Sequence, residues 1–401
     1  MEENFNNSMI NVQVIHLSTS HTGGAGIAAR RLNLALNDYG IKSIFVAIEK
    51  VGYQVKATEV AIKRSLRNKL FSYLNARFSK LFMQKTYFTF FSISPLNYKK
   101  IKKFGPPQTT IIHVHNWFNL ISLRVVRKLL LNGYQVIFTL HDQRLFTGGC
   151  HYSLTCDKFI NSCSKCPLLP TPVNRLTKWN LSRQQKVFYE FADQITVIAP
   201  SKWIEKQATK SSTLKKSNIV YSPNIHKSTE LAEFSYIQMK SNNNGNKLIL
   251  GVASMDIGSH LKGGDLLLPL LKLINDNKVN VDVRYLVDYK SSPKSFWEEI
   301  DYLLVISRQD NSPNVIHEAK IMGIPIIGTN VGGIPELLNL EYDYIVDFDG
   351  EVLHQILNVI KVIMKTPKIN SLQKIKEDYT RVTSGSLSNI CDIYQSRLNY
   401  N

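Results

Sequence analysis

Short apolar runs alternate with longer amphipathic stretches through the first half of the chain. The runs consist almost wholly of apolar residues, which is typical of strands buried on both faces of a parallel sheet. The stretches 27–39 and 125–131 have helical spacing, and each ends near a glycine. This alternation predicts a parallel sheet with helices on both faces. The predicted strands lie at 12–17, 43–48, 111–115, 136–140 and 195–199.

The same pattern restarts after a turn at 221–224. The polar stretch 230–246 predicts a connection into a second α/β unit, in which 264–275 is helical. Near the end of the chain, apolar positions at helical spacing predict one more helix, at 387–398. The predicted strands of the second unit lie at 248–253, 281–287, 302–306 and 324–328.

Two successive strand–helix units define the expected architecture. We predict an α/β protein of two Rossmann-like domains, one at 1–222 and one at 223–385, that face a central cleft. The last helix, within 386–401, is expected to pack back on the first domain. A cleft between two such domains is the usual location of a ligand.

Length and composition agree with this architecture. The chain has 401 residues, of which 44% are hydrophobic, enough for two or three domains with packed cores. It has no apolar run of about 18 residues, so we expect no transmembrane helix. Its first residues lack the charged and apolar regions of a signal peptide, so we expect a cytoplasmic protein.

The formal charge of +18 is unevenly distributed, because residues 60–141 contain no acidic residue. Cationic and aromatic side chains interleave in segment 60–103, which favours an anionic membrane surface as the partner. The alternatives are a solvated basic face over an ordinary core helix and a nucleic-acid surface. We expect the membrane surface and no nucleic acid. The basic residues are Lys63, Arg64, Arg67, Lys69, Arg77, Lys80, Lys85, Lys99, Lys100, Lys102 and Lys103.

A glycine turn follows the first predicted strand. Gly24 and Gly26, with Ala29, match the dinucleotide-binding pattern G-x-G-x-x-G/A, and Glu49 after the second strand suits a ribose contact. A nicotinamide or flavin oxidoreductase is therefore an open alternative. Gly23, Gly24 and Gly26 equally suit any turn that holds an anion, or a tight turn that serves only helix packing.

His141 directly follows the fourth predicted strand, at the strand end where ligands gather in parallel sheets. A histidine there can donate a hydrogen bond to a sugar hydroxyl or a phosphate. The alternative is a loop histidine that is satisfied by its own surroundings. A second glycine turn, 146–150, follows it and is also suited to lie against a ligand.

Four of the five cysteines cluster after His141 with the spacing C-x5-C-x6-C-x2-C. Disulfides are disfavoured in a reducing cytoplasm, so clustered thiolates suggest a structural zinc. A loop disulfide and unligated cysteines are the alternatives. The four residues are Cys150, Cys156, Cys163 and Cys166.

Three charged residues in the second unit suit a nucleotide. Lys262 lies in a Lys-Gly-Gly turn before a helix, where an ammonium can neutralise a diphosphate. Asp310 and Glu318 lie on either side of a predicted helix start, at the sugar end and at the ribose end respectively. Taken singly, each is as easily a solvated turn or cap residue, and the combination carries the prediction.

The helix between those carboxylates has a distinct start signal. Pro313 is well placed as the first helical residue after a cap at Asn311 or Ser312. The N–H groups of the first turn would then receive phosphate oxygens. These N–H groups belong to Asn314, Val315 and Ile316.

Together, these residues resemble glycosyltransferase family 4, also called group 1, whose enzymes have the GT-B fold. Asp310-x7-Glu318 is similar to the E-x7-E element of that family, and Gly332–Glu336 is similar to its Gly-Gly-x-Pro-Glu turn. The first half resembles the bacterial subgroup that builds exopolysaccharide, capsule or O-antigen chains. The motifs there are Gly23–Gly26, Leu140-His141-Asp142, 146–152, 163–167 and 199–203.

The resemblance implies a retaining transfer of a sugar from a nucleotide-diphosphate donor, without a catalytic metal or other cofactor. It implies that Glu318 binds the donor ribose, Asp310 touches the transferred sugar and Lys262 stabilises the departing diphosphate. His141 would contact the sugar, and Gly23–Gly26 would lie near phosphate and acceptor. The first domain would then take a lipid-linked or glycan acceptor, and the enzyme would lie on the inner face of the plasma membrane.

The chain departs from the family pattern at three places. Aspartate replaces the first glutamate at Asp310, and no arginine accompanies the lysine in the region of 253–256. The span between 287 and 302 is short, so we expect a shortened second unit. An inactive or partner-dependent GT-B protein is therefore the main alternative.

Overall fold

The structure is a computed structural model that describes residues 12–82, 88–90, 92, 94–170, 173–226, 247–254, 258–286, 293–366, 372–383 and 385–398. The predicted connection 230–246, the region 255–257, the residues 287–292 and part of segment 60–103 lie outside the described residues. The chain divides into two compact units. The first unit comprises Met1–Ile225 and Gly385–Asn401, and the second comprises His226–Ser384.

The first unit is built on a seven-stranded sheet in which every pairing is parallel. Its strand order is β3-β2-β1-β4-β5-β6-β7. The five predicted strands are confirmed as β1, β2, β4, β5 and β6, whereas the edge strands β3 and β7 were not predicted. The strands are β1 Gln13–Ser18, β2 Lys42–Ile48, β3 Glu59–Ile62, β4 Thr110–Asn116, β5 Gln135–Thr139, β6 Ile195–Ala199 and β7 Asn218–Tyr221.

Helices connect these strands and cover both faces of the sheet. The first of them starts at the predicted glycine turn and ends before Gly40, which adopts a positive φ of 87°. A left-handed residue that follows a helix is the usual way to stop it. The helices are α1 Gly24–Asp38, α2 Leu66–Phe82, α3 Tyr98–Ile101, α4 Leu123–Leu130, α5 Arg175–Glu190 and α6 Lys202–Lys210.

The second unit is built on a five-stranded sheet, also parallel throughout, with the order β12-β11-β10-β8-β9. Its strands are β8 Leu248–Ala253, β9 Val281–Leu286, β10 Tyr302–Val305, β11 Ile326–Thr329 and β12 Tyr344–Val346. Its helices are α7 Gly264–Asp276, α8 Pro293–Glu299, α9 Asn314–Met322, α10 Val352–Lys365 and α11 Leu372–Thr383.

The last helix, α12 Ser386–Leu398, belongs to the first unit. Successive strand residues point to opposite faces of the sheet, so Val14 and Ile15 enter different cores. The core on the side of Ile15 includes residues of α4, α5 and α6. The core on the side of Val14 is covered by α1 and α12, which contributes Ile390 and Tyr394.

Each sheet has one point at which the chain reverses the direction in which strands are added. In the first unit this point lies between β1 and β4, and in the second between β8 and β10. Loops that leave the carboxyl ends of two such strands diverge to opposite faces and leave a crevice, where ligands bind in open α/β sheets. The predicted functional residues can therefore be judged by their distance from these two points.

Candidate active site

Lys262 lies on the connection that leaves β8, at the reversal point of the second sheet. Gly263 follows in a left-handed conformation, with a φ of 74°, and a Cβ built there would collide with the Ile306 carbonyl oxygen after β10. Only glycine allows the two connections to approach so closely. The Arg308 N–H donates to the Leu261 carbonyl at 2.8 Å, which ties them together.

Asp310, on the connection after β10, forms an ion pair with Lys262. The aspartate side chain is 7% exposed and the lysine side chain 37% exposed, so solvent reaches the lysine side of the pair. The Asn311 N–H also donates to the Asp310 carboxylate at 2.9 Å. Sequence analysis assigned these two residues to different parts of a ligand. The structure pairs them directly with each other.

The predicted Gly332-Gly333 turn packs on the backbone of the same aspartate. The Gly333 N–H donates to the Asp310 carbonyl at 2.9 Å. Gly332 has a φ of 60°, and a Cβ there would collide with that carbonyl oxygen. Three separate sequence motifs thus meet around Asp310, at the point where the sheet order predicts a ligand.

The start of α9 differs in detail from the prediction. Pro313 is the N-cap residue rather than the first helical residue, and no side chain caps the helix. Ser312 is engaged elsewhere, because its hydroxyl lies 2.8 Å from His317 Nε2. The Ile316 N–H donates to the Pro313 carbonyl at 3.0 Å, so it is already used within the helix start. The Ile316 N–H is therefore less available to a phosphate than the sequence predicts.

Glu318 lies one turn into α9 and is 4% exposed. Its neighbour His317 anchors the helix, since His317 Nδ1 lies 2.7 Å from the Tyr379 hydroxyl of α11. The His317 ring also stacks on His226, with 3.9 Å between ring centroids. The carboxylate of Glu318 is thus carried by a helix that is fixed at its first turn.

Arg308 is a cation near Lys262 that the sequence analysis did not single out. Its guanidinium binds both carboxylate oxygens of Asp265, in the first turn of α7, at 2.6 and 2.8 Å. These hydrogen bonds are the largest cause of a lowered pKa at Asp265. The position of Arg308 two residues before Asp310, and three residues after the end of β10, was the available signal.

In the first unit, the glycine turn after β1 opens α1 as predicted. Gly23 is the N-cap residue with a φ of 85°, and its carbonyl accepts the Ile27 N–H at 2.9 Å. A Cβ on Gly26 would collide with the Ser20 carbonyl oxygen, so this glycine permits the close approach of loop and helix. Gly24 is the first helical residue.

His141 follows β5, beside a charged network. Its neighbour Asp142 accepts hydrogen bonds from the Arg144 N–H at 2.9 Å and from the Arg144 guanidinium, whose Nη2 lies 3.0 Å away. Burial opposes ionisation of Asp142, but the nearby charge of Arg144, with His151 and the hydrogen bonds, lowers its pKa. Arg144 also donates to Asn116, at the end of β4, at 3.0 Å.

The His141 ring is linked to the interior of the sheet. Its Nε2 lies 3.0 Å from Nδ1 of His115, and Nε2 of His115 lies 3.0 Å from Nδ1 of His16. Burial lowers the pKa of His141 to about 4 and that of His16 to about 3. These rings are therefore neutral at pH 7.

The four clustered cysteines are free thiols that line one pocket together with Phe88 and Thr177. In a tetrahedral zinc site, sulfur atoms lie about 3.8 Å apart, given zinc–sulfur bonds of about 2.3 Å. Among the described residues, the thiols form no group of three with all sulfurs within 4.8 Å. The structure therefore does not show the predicted zinc site among these residues. Burial raises the pKa of Cys163 to about 12.

Within segment 60–103, the basic helix α2 exposes apolar side chains. Leu66 is 84% exposed and Leu70 60% exposed, and Phe71, Tyr73 and Leu74 are exposed too. Lys69 and Arg77 are exposed on the same helix. None of the described helices is both long and apolar enough to cross a membrane.

Comparison with known proteins identifies the fold. No protein-family model matches the chain, and no curated protein matches it by sequence. Solved structures do match. A glycosyltransferase from Rickettsia africae is 14% identical with a TM-score of 0.60, and the match covers 97% of this chain and 99% of that one.

Two further structures agree. Sucrose-phosphate synthase from Thermosynechococcus elongatus is 16% identical with a TM-score of 0.64, and HepE from Anabaena, solved with UDP-glucose, is 14% identical with a TM-score of 0.53. Both matches cover 97% of this chain and 100% of the other. The fold is therefore that of GT-B glycosyltransferases, with two parallel sheets of seven and five strands. At sequence identities of 14% and 16%, the structural similarity establishes the fold alone.

Proposed function

We propose that the protein is a retaining glycosyltransferase of the family 4 type. It would move a sugar from a nucleotide-diphosphate donor to a lipid-linked or glycan acceptor in the synthesis of a cell-surface polysaccharide. The observation that carries this proposal is the meeting of Lys262, Asp310 and the Gly332-Gly333 turn at the reversal point of the second sheet. A cation, a carboxylate and a glycine turn at this point suit a sugar diphosphate.

The chemistry follows from the charge that develops. Breaking the bond between the anomeric carbon and the diphosphate leaves an anionic leaving group, which Lys262 and the start of α9 stabilise. Lys262 supplies this charge from the protein itself, so the proposed reaction uses no metal. Glu318 binds the donor ribose and Asp310 meets the sugar, while Asn314 and Val315 offer the N–H end of the helix to phosphate.

The first unit has its own part in this proposal. His141 donates to the transferred sugar, and the Gly23–Gly26 turn lies toward phosphate and acceptor. Both lie at strand ends near the reversal point between β1 and β4, which supports a ligand-binding role. HepE, which shares the fold, was solved with UDP-glucose, so a UDP-sugar is the first donor to test.

A pair of lysine variants tests the proposal. Lys262→Ala is expected to lower the rate of nucleotide release from the donor by about 100-fold or more, because it removes the cation that faces the leaving group. Lys374→Ala is the matched control, since Lys374 also forms an exposed ion pair in the second unit, with Glu341 at 2.6 Å. Its rate should remain within about twofold of wild type.

Glu318→Ala should lose most transfer as well. Full activity of both Lys262→Ala and Glu318→Ala would refute the assignment. Donor binding without any release, with every acceptor supplied, would instead support an inactive or partner-dependent protein.

We also propose that α2 binds the anionic inner surface of the plasma membrane. Its exposed leucines can enter the interface while Lys69 and Arg77 face lipid phosphates. The combination of apolar and basic exposure on one helix supports a membrane more than a nucleic acid, which would use the charges alone.

Pelleting with liposomes tests this second proposal. Leu70→Asp should reduce binding to anionic vesicles, whereas Leu268→Asp, at a 78% exposed leucine of α7, should not. Binding should also weaken as salt is raised. Equal binding of the two variants, or retention of DNA in place of vesicles, would contradict it.

A further inference from the structure

A row of histidines crosses three adjacent strands of the first sheet on one face. His16 lies on β1, His113 and His115 lie two residues apart on β4, and His141 follows β5. His16 pairs in register with His113. The three strand histidines are at most 7% exposed, and only His141 reaches the surface. The row thus runs from the interior to the ring that is proposed to meet the sugar.

His113 is satisfied by hydroxyl groups on either side. Its Nδ1 lies 2.7 Å from the Tyr394 hydroxyl of α12, and its Nε2 lies 2.7 Å from the Thr139 hydroxyl. A hydroxyl can donate or accept, so these contacts do not determine which nitrogen of His113 carries the proton. The contacts of His113 therefore do not determine which way the hydrogen bonds among the other three histidines are donated.

The other three rings form a chain in which each link joins two ring nitrogens. The links are His16 Nδ1 to His115 Nε2 and His115 Nδ1 to His141 Nε2, both 3.0 Å. A neutral imidazole has one N–H and one acceptor nitrogen. The direction of one link therefore determines the direction of the other, because His115 must donate through one nitrogen and accept through its second.

The inner end of the chain shows which direction applies. His16 Nε2 is buried and has no hydrogen-bond partner among the described residues. Buried N–H groups without an acceptor are rarer than acceptors without a donor. This difference favours a proton on His16 Nδ1, from which it is donated to His115. His115 then carries its own proton on Nδ1 and donates to His141, whose proton is also on Nδ1.

With every proton on Nδ1, the N–H groups of the chain all donate in one sense, from His16 toward His141. The opposite direction would leave an unpaired N–H of His16 in the core. The inner end therefore determines the direction of the whole chain.

We infer that His16 and His115 are positioning residues that hold His141 in its Nδ1–H tautomer, so that His141 meets a ligand as a hydrogen-bond donor. The tautomer stands on the geometry alone, and the identity of the ligand, a sugar oxygen, rests on the proposed function. A ring nitrogen that always carries its proton binds an oxygen acceptor. It cannot act as a base until every proton in the histidine chain moves to the other ring nitrogen.

The same cluster also resembles a metal site. Ring nitrogens of His16, His113 and His115 lie within 4.8 Å of one another. Both nitrogens of His113 and both of His115 are already hydrogen-bonded, however, and a metal would have to break those bonds. The described contacts are those of a hydrogen-bond chain.

Nitrogen NMR of the full-length protein labelled with ¹⁵N-histidine tests the inference. Two-bond ¹H–¹⁵N correlations distinguish a protonated from an unprotonated ring nitrogen, and loss of a signal in His141→Asn assigns that ring. We expect His141 to carry its proton on Nδ1 at neutral pH. His354, which is 62% exposed and whose Nδ1 lies 3.2 Å from a Glu351 carboxylate oxygen, is the solvent-exposed comparison ring. A proton on Nε2 of His141 would overturn the inference.

Two substitutions at one position test the positioning role. His16→Leu removes the donor, so the single tautomer of His141 should be replaced by a mixture. His16→Asn keeps an N–H where Nδ1 was, so the tautomer should be retained. An unchanged His141 tautomer in His16→Leu would overturn the role of His16. So would a divalent metal that purifies with the wild type and is lost in this variant.

The NMR result is obtained without substrate and is therefore independent of transferase activity. If transfer is also measured, His16→Leu should lower kcat/KM on the order of 10-fold, the loss expected for one hydrogen bond, and His16→Asn should restore it. A correct tautomer with no transfer would refute the proposed function and leave the chain intact. Transfer by a protein whose His141 is protonated on Nε2 would support the proposed function and refute the inferred tautomer.

Discussion

Lowering the pH from 7 to 5 should selectively destabilise the first unit, because it buries neutral histidines. Burial lowers the pKa of His16 to about 3, and burial with neighbouring rings lowers those of His113 and His115 well below the ordinary value. The unfolded chain takes up protons as the pH falls below about 6.5, whereas the folded rings do not. Stability is therefore full above pH 6.5 and is lost as the pH falls toward 3.

The size of this effect follows from the shifts. At pH 5, each ring that stays neutral in the fold and has an unfolded pKa of about 6.5 costs about 2 kcal/mol. These three rings together cost about 6 kcal/mol. His141 and His151 also lie in the first unit, and burial lowers their pKa values to about 4 and about 3, so they add about 2 kcal/mol each. Near pH 5.5, with all five rings neutral in the fold, the free energy of unfolding should change by about 6 kcal/mol per pH unit. The lowered pKa of Asp142 keeps this carboxylate ionised in that window.

Urea titrations followed by tryptophan fluorescence measure this slope. In a Trp297→Phe background, the remaining tryptophans, Trp117, Trp179 and Trp203, all lie in the first unit. His16→Leu should reduce the slope by about one fifth, since it removes one of five rings. A free energy of unfolding that is unchanged between pH 7 and 5 would refute the reasoning, and so would a slope that His16→Leu leaves intact.

Three further predictions concern single side chains. Gly332→Ala places a methyl group against the Asp310 carbonyl at a residue with positive φ. It should lower the free energy of unfolding, measured by urea titration, by more than about 2 kcal/mol. Gly350→Ala, which meets open space, should cost much less. Tyr394→Phe removes a buried hydrogen bond and should cost about 1–2 kcal/mol in the same assay, whereas Tyr39→Phe, at a 45% exposed residue, should cost nothing measurable. Cys156, the least buried thiol of its cluster, should be alkylated first in mass spectrometry. If all four thiols are protected from alkylation and a chelator abolishes that protection, the result would instead support the predicted zinc.

The central strands could be predicted from sequence, whereas the edge strands could not. β1, β4 and β5 are buried on both faces, so nearly every residue in them is apolar or shielded. β3 begins with Glu59, which looks like a surface residue. Glu59 is buried because Arg30 pairs with it at 3.0 Å and the Tyr53 hydroxyl donates to it at 3.0 Å. These are tertiary contacts that no local pattern contains.

The residues of the second unit could be named from sequence, but their contacts could not. Glycine turns and charged residues that follow strands are local signals in the sequence, and they pointed to Lys262, Asp310 and Gly332. The structure gives Gly332 a positive φ. The ion pair between Lys262 and Asp310 depends on the order of β8 and β10 in the sheet. The start of α9 was displaced by one residue because Ser312 turns to His317.

The histidine row illustrates a signal that was present and not used. His113 and His115 are separated by one residue in a strand, so the period of two places both on one face. His16 and Tyr394 come from distant parts of the chain, and only the fold brings them to the same face. Sequence reasoning found His141, the exposed end of the row, because it directly follows a strand.

The most direct test of the proposed function is release of nucleotide from a panel of UDP-, GDP- and dTDP-sugars, with NAD as a comparison. The protein is incubated with each donor, with and without a lipid-linked acceptor, and the free nucleotide diphosphate is quantified. We predict release from at least one sugar nucleotide, stimulated by acceptor and abolished by Lys262→Ala. Binding of NAD with no binding or turnover of any sugar nucleotide would contradict the account.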